Sequence, residues 1–372
     1  MSIPRRRFLQ SSLLPIALPR LGVASDFGSQ WLPAPNGTVN RIAFGSCAFQ
    51  WEPQPIWHAV AKVQPELFLF LGDNIYGDWH GEEPFIPSAE SLMADYQMLF
   101  DKPEFSTVRE QVHFMATWDN HDYGLHNGGA GFELKKISRE VFLDFFGEPA
   151  KSPRRIRDGI YDAKVLGPEG RRVQVIMLDN RWNRGSLIPD TRSDEERAAL
   201  GITGSMGHIP NTNSAVAMLG ESQWQWLEEQ LKLPAEIRLL CSGTQIINDS
   251  KGMQEWGNFP HERKRLFDLI EQSQANGVIL LSGNVHYSKI SNTDEGPYLM
   301  YDFTSSGMTH NSPEYAEIEN PYRVSGPYAE PNFGLIDINW GAAPSPVISM
   351  QTIGLDRDVA FEHQISLNEL QI

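Results

Sequence analysis

Asp73 and Tyr76 stand three residues apart, directly after the unbroken apolar run Leu67-Phe68-Leu69-Phe70-Leu71. A carboxylate and a phenol at that spacing can both reach one hard metal ion. The glycines at 72 and 77 let the chain turn sharply around them. The arrangement recurs, because other apolar runs end in Gly45-Ser46-Cys47, in Asp119-Asn120-His121-Asp122 and in Gly283-Asn284-Val285-His286. One such ending says little. Four of them would bring a thiol, a carboxylate, a phenol, two amides and imidazoles to one edge of a sheet. Arg181, after a further strand-like run, can bind a phosphate oxygen or form a structural ion pair.

Taken singly, each residue also has a plainer reading. Cys47 reads as a small buried hydrophobe, Asp73 as a helix cap, Tyr76 as packing, and Asn120 and Asn284 as turn residues. His286 reads as a satisfied core histidine, and His121 as a residue behind the reacting groups. His126, His208, His261 and His310 read as surface or loop residues, with His208 the one placed to touch a substrate.

The elements that must hold these groups follow from the pattern. A short apolar run closed by a turn is a strand buried on both faces, and such sheets bind ligands outside the carboxyl ends of their strands. Strands are expected at 41–47, 67–71, 114–118, 172–178, 237–242, 278–281 and 298–304. Helices are expected at 51–63, 89–112, 134–146, 221–231 and 261–274. Strand, helix, strand over 41–71 predicts a parallel βαβ unit that sets Cys47 and Asp73 at one edge. From Phe333 onward the alternation predicts antiparallel edge strands. The polar segment 185–217 exceeds a plain connection and is either a loop over the site or disordered. The whole predicts an α/β fold, two packed mixed β-sheets flanked by helices, in one domain over 41–372.

Residues 1–24 differ from the rest. Arg5-Arg6-Arg7-Phe8-Leu9, a short apolar segment and the small residues Val23-Ala24-Ser25 have the form of a twin-arginine export signal, the plainer reading being a basic disordered tail. A lead-in over 25–40 follows. This predicts export to the periplasm or beyond, by machinery that carries folded proteins. The formal net charge is −16, and removal of residues 1–24, with four Arg and no acid, takes it to −20. So acidic a chain should not bind nucleic acid through its general field, and a phosphate substrate must be attracted locally. No run of 18 apolar residues predicts a membrane span. Two cysteines, Cys47 and Cys241, are no disulfide framework, although one bridge after export is conceivable. A monomer is expected.

The order of these motifs, with Trp118-Asp119-Asn120-His121-Asp122-Tyr123, Phe142-Leu143-Asp144-Phe145-Phe146-Gly147, Gly220-Glu221-Ser222-Gln223-Trp224 and Thr304-Ser305-Ser306-Gly307, resembles the PhoD-type alkaline phosphatases. These belong with the calcineurin-like and purple-acid metallophosphoesterases. The resemblance runs from about residue 41 to about 340. It implies the layered metallophosphoesterase fold and a binuclear centre that hydrolyses phosphodiesters, phosphomonoesters or both. On that footing Cys47, Tyr76 and His286 would hold Fe³⁺, Asp73 would bridge, and Asn120 and Asn284 would serve a second divalent ion, Ca²⁺ in the family. His121 would protonate the leaving alkoxide or steady the phosphate, with Arg181 as phosphate contact. The family motif, in contrast, has Asp where Asn120 and Asn284 stand. Loss of an anionic ligand at 284 predicts a weaker or different second ion. The family often carries a β-sandwich ahead of this domain, where here only the short lead-in stands. The rival reading is a non-catalytic exported domain that binds a phosphorylated polymer.

Overall fold

The computed structural model describes residues 27, 31–80, 83–199, 207–249 and 253–372. The expected export signal lies outside the described residues. Thirteen strands form two large mixed sheets. The first sheet holds β1 (Arg41–Gly45), β2 (Leu67–Leu71) and β3 (His113–Thr117). The second holds β4 (Asp162–Leu166), β5 (Val173–Met177), β6 (Ile237–Ser242), β7 (Val278–Ser282), β8 (Ser288–Thr293), β9 (Met300–Ser305) and β10 (Arg323–Tyr328). β11 (Asn332–Asn339), β12 (Val347–Gly354) and β13 (Val359–Ser366) return to the first. The strand orders are β13-β12-β11-β1-β2-β3 and β10-β8-β9-β7-β6-β5-β4.

The middle of each sheet is parallel. β1 pairs β2 with Ile42 opposite Leu67, and β2 pairs β3 with Leu67 opposite His113. β5, β6, β7 and β9 pair in parallel in the second sheet. Antiparallel strands finish the outer parts, as expected from Phe333 onward.

Alternation along the strands builds three apolar layers. Ile42, Phe44, Leu67, Leu69 and Leu71 face Val175, Met177, Leu239, Cys241, Leu281 and Phe303 between the sheets. The Phe44 and Phe303 rings meet edge to face there, with centroids 4.8 Å apart. The other faces of β1–β3, with Ala43, Phe68, Phe70 and Phe114, lie under α1 (Ile56–Val63), α2 (Ala89–Phe100), α3 (Pro103–Arg109) and α5 (Lys135–Phe145). Ile176, Leu240 and Leu280 lie under α6 (Glu221–Leu231) and α7 (Pro260–Gln272). Burial on both faces is why the run at 67–71 has no polar residue.

Three expectations are refined. The helix foreseen over 89–112 is two helices, because Pro103 cannot continue the first and instead starts the second. The helix foreseen from 51 begins at Ile56, after Pro53 and Pro55. Within the described residues of the segment 185–217, Ile188–Pro189 pairs with His208–Ile209 and a short helix covers Asp194–Ala199. Strands β4, β8 and β10 were not foreseen. Cys47 and Cys241 are both buried and free, so they form no bridge.

Candidate metal centre

The parallel strands of both sheets deliver their carboxyl ends to one edge. Cys47 follows β1, Asp73 and Tyr76 follow β2, and the short helix α4 (Asn120–Tyr123) follows β3. Arg181 follows β5, Asn284 and His286 follow β7, and Ser306 to His310 follow β9. The turns are laced together by backbone bonds, from Ala48 N to Asp73 O (2.9 Å) and from Met308 N to Ser46 O (3.2 Å). Gly72, at φ +95°, leaves no room for a side chain, since a Cβ there would lie 2.5 Å from Asp119 Cβ. Close approach of the two loops requires that glycine.

Ligand atoms of Cys47, Asp73 and His286 lie within 4.8 Å of one another. Cys47 Sγ is 3.4 Å from Asp73 Oδ2 and 3.1 Å from Ser306 Oγ. Tyr76 stands beside them, close enough for its phenol to feel the charges of Cys47 and Asp73. Its backbone is clamped by Gln50, which accepts from Tyr76 N (2.9 Å) and donates to Tyr76 O (3.3 Å). Cys47, Asp73, Asn284 and His286 all have positive φ, between 49° and 74°. Non-glycine residues in that region are strained and persist where the surroundings hold them.

Burial pushes the Cys47 thiol, the Asp73 carboxyl and the Tyr76 phenol above their ordinary pKa values. The negative charge of Cys47 raises Asp73 further, and those of Cys47 and Asp73 raise Tyr76. No Lys or Arg is among the groups acting most strongly on these three. Burial lowers His286 to about 4, so its imidazole is neutral and able to ligate. Soft thiolate, hard phenolate and carboxylate, and neutral imidazole fit a cation of high charge, which would reverse the upward shifts by stabilising the anions.

His121 is held from two sides. Its Nδ1 donates to Asp78 Oδ1 at 2.6 Å, and its backbone N donates to Asp73 Oδ1 at 3.2 Å. Its ring stacks on Tyr76, with centroids 4.0 Å apart. Burial alone would lower its pKa, but Asp73 and Asp78 outweigh burial and the net shift is upward. Asp122, pushed up to about 7 by burial, accepts from Asp119 N (3.0 Å) and Asn74 N (2.8 Å) and so ties α4 to the loop after β2.

Asn120 and Asn284 lie in a second group built around Arg181. Arg181 is fully buried and pairs with Asp119, with Nε donating at 2.6 Å. Its other N–H groups go to Gly128 O (3.3 Å), Gln254 Oε1 and Asn120 Oδ1 (3.3 Å). Asn284 Nδ2 donates to Gln254 O at 3.4 Å. Arg181 thus forms a buried ion pair with Asp119, and its N–H groups have partners inside the protein. His261 reaches Val216 O (2.8 Å) and His126 lies beside His121, with centroids 6.0 Å apart.

Sequence reasoning gave no role to Asp78, Gln50, Gln254 or Ser306, and set His310 aside as a loop residue. His310 Nε2 in fact lies 2.9 Å from Tyr76 Oη. Asp78 closes the run that holds Asp73 and Tyr76, and His310 follows a strand end as the other site residues do. Those positions were the available signals.

The family model described as PhoD-like phosphatase matches residues 159–330. That range contains Asn284 and His286 but not Cys47, Asp73, Tyr76 or His121. Alkaline phosphatase D of Bacillus subtilis (strain 168) is 24% identical over 294 residues, covering 70% of this chain and 48% of that protein. The chain therefore spans about half the length of this curated relative. Among solved structures, that of PhoD superposes with a TM-score of 0.65 at 17% identity, over 90% of this chain and 73% of the other. A purple acid phosphatase from yellow lupin (Lupinus luteus) seeds gives 0.56 at 12% identity, over 90% and 55%. The resemblance to PhoD-type phosphatases drawn from the motifs is borne out, and the fold is that of these two structures.

Proposed function

We propose that the chain is an exported, metal-dependent hydrolase of phosphate esters, acting on phosphodiesters, phosphomonoesters or both. The observation that carries it is the convergence of Cys47, Asp73 and His286 ligand atoms within 4.8 Å, beside a His121 that Asp78 holds in place. Cys47, Tyr76 and His286 would hold one cation, Fe³⁺ by resemblance to purple-acid enzymes. Asp73 has an oxygen for each of two ions, and Asn120 and Asn284 would serve a second, divalent one. Bound cations would polarise the phosphoryl group and lower the pKa of water, leaving the protein to orient the ester and manage the proton. His121, its pKa raised by Asp73 and Asp78 against the effect of burial, would give a proton to the leaving oxygen. Asp78 keeps the ring oriented through Nδ1. Export rests on the Arg5-Arg6-Arg7-Phe8-Leu9 sequence, and the acidic charge supports a small or isolated phosphate ester over nucleic acid.

The test is hydrolysis of a chromogenic phosphomonoester and phosphodiester by the protein exported through its own signal. Chelation should abolish turnover, and metal should restore it. A tyrosinate on Fe³⁺ should add a visible absorption band that Tyr76→Phe removes. Full hydrolysis by a metal-free Asp73→Ala protein would sink the proposal. Bound metal with no turnover on any phosphate ester would favour a binder of phosphorylated polymers instead.

A further inference from the structure

We infer that His310 is a further ligand of the cation that Cys47, Tyr76 and His286 would hold, a reading that rests on the metal-binding half of the function proposed above and not on hydrolysis. His310 Nε2 lies 2.9 Å from Tyr76 Oη and 3.2 Å from His286 Nε2. Bonds to a metal of about 2.1 Å that meet at roughly a right angle place neighbouring donors about 3 Å apart. The spacings of His310 Nε2 to Tyr76 and His286 are those of neighbouring donors to one ion, beside the converging group of Cys47, Asp73 and His286. The His286 and His310 rings meet edge to face, at 73° with centroids 4.2 Å apart, so that nitrogens rather than ring faces converge.

The hydrogen bonds fix which nitrogen of His310 is free. Thr309 Oγ1 donates its single proton to Cys47 O at 3.0 Å and accepts from Phe49 N at 2.9 Å. Only a lone pair remains on that oxygen for His310 Nδ1, 3.0 Å away, so Nδ1 carries the proton. The Nε2 atom then carries the lone pair that faces Tyr76 and His286, and it accepts from Tyr76 Oη. His286 is held in the same manner, with Nδ1 3.2 Å from Ser312 Oγ and its backbone N on Ser306 Oγ at 2.9 Å. An acceptor on the outer N–H is the usual device that aims an imidazole at a metal. Thr309 also binds this imidazole to the Cys47 backbone, so donors from β1 and β9 move as one unit.

The experiment uses the metal-free full chain and Co²⁺ as probe. Each imidazole bound through Nε2 keeps an exchangeable Nδ1 proton, which the paramagnetic ion shifts far outside the protein's proton NMR spectrum. Two shifted ring protons are expected in the natural chain and one in His310→Gln. The affinity for Co²⁺ should fall at least about 10- to 100-fold, the loss typical of an outer partner alone. Should His310→Gln fail to fold, His310→Ala with added imidazole replaces it, and imidazole should restore affinity. A single shifted ring proton in the natural chain, or unchanged affinity in the variant, overturns the inference. A natural chain that binds no Co²⁺ overturns both it and the metal-dependent function. Two shifted ring protons without phosphoesterase turnover uphold the ligand and sink only the hydrolase.

Discussion

The donor set around Cys47 and the set around Arg181 share one edge of the fold but solve opposite electrostatic problems. Cys47, Asp73 and Tyr76 crowd three acidic groups together, and burial makes each resist ionisation. Asn120 and Asn284 are neutral amides, and the adjacent charge is already balanced by the Arg181–Asp119 pair. The first set has His121 but no lysine or arginine among the groups acting most strongly on it, and the second carries its own guanidinium. An ion of high charge would be gripped by the first, while a divalent ion at the amides would depend on Asp73 and be held less firmly.

The largest effect should come from the residue proposed to serve both sets. Asp73→Asn is expected to lower kcat/KM beyond the roughly 10⁴-fold of a lost proton-transfer group, with both metals depleted by elemental analysis. If only one metal were lost, Asp73 would belong to a single set. Arg181→Met should separate the sets in the other direction. It strands the Asp119 charge in the interior and should cost about 3–5 kcal/mol in denaturant unfolding. Metal at the Cys47 set should persist in whatever fraction stays folded.

Asp78→Asn should leave metal content intact and move the pH profile. His121 must be protonated to act as an acid, so the rate falls as pH rises through its pKa, which Asp78 helps to raise. Its loss should move the alkaline limb of kcat/KM to lower pH by about one unit. A limb that stays in place would remove His121 from proton transfer. The smallest effect should be a gain, since Asn284→Asp adds an anionic donor and should tighten the second divalent ion about tenfold, as ligand charge does at oxygen sites. Calorimetric titration of the divalent ion would show it.

Much of this was legible before any coordinates. Leu67-Phe68-Leu69-Phe70-Leu71 declared a doubly covered strand, and the polar groups behind each such run lie at one edge because parallel strands share a direction. The missed strand β8, Ser-Lys-Ile-Ser-Asn-Thr, has the polarity of a loop; it is paired on both sides by β9 and β10, which satisfy its backbone. Arg181 at a strand end had the same local pattern as a ligand, and only the meeting of loops from β3 and β5 shows that its charge is spent on Asp119. His310 was obscured because its meaning depends on Tyr76, 234 residues away in sequence. Periodicity reports which face a residue takes, and it is silent on which distant loop comes to meet it.

The positive φ angles of Cys47, Asp73, Asn284 and His286 have a consequence for anyone engineering this protein. Each costs about 1–3 kcal/mol that glycine would largely recover. A directed-evolution campaign scored on heat resistance alone should therefore drift toward glycine at these four positions, producing sturdier proteins with no chemistry. Selection must reward turnover and durability together, because at these positions the two pull apart.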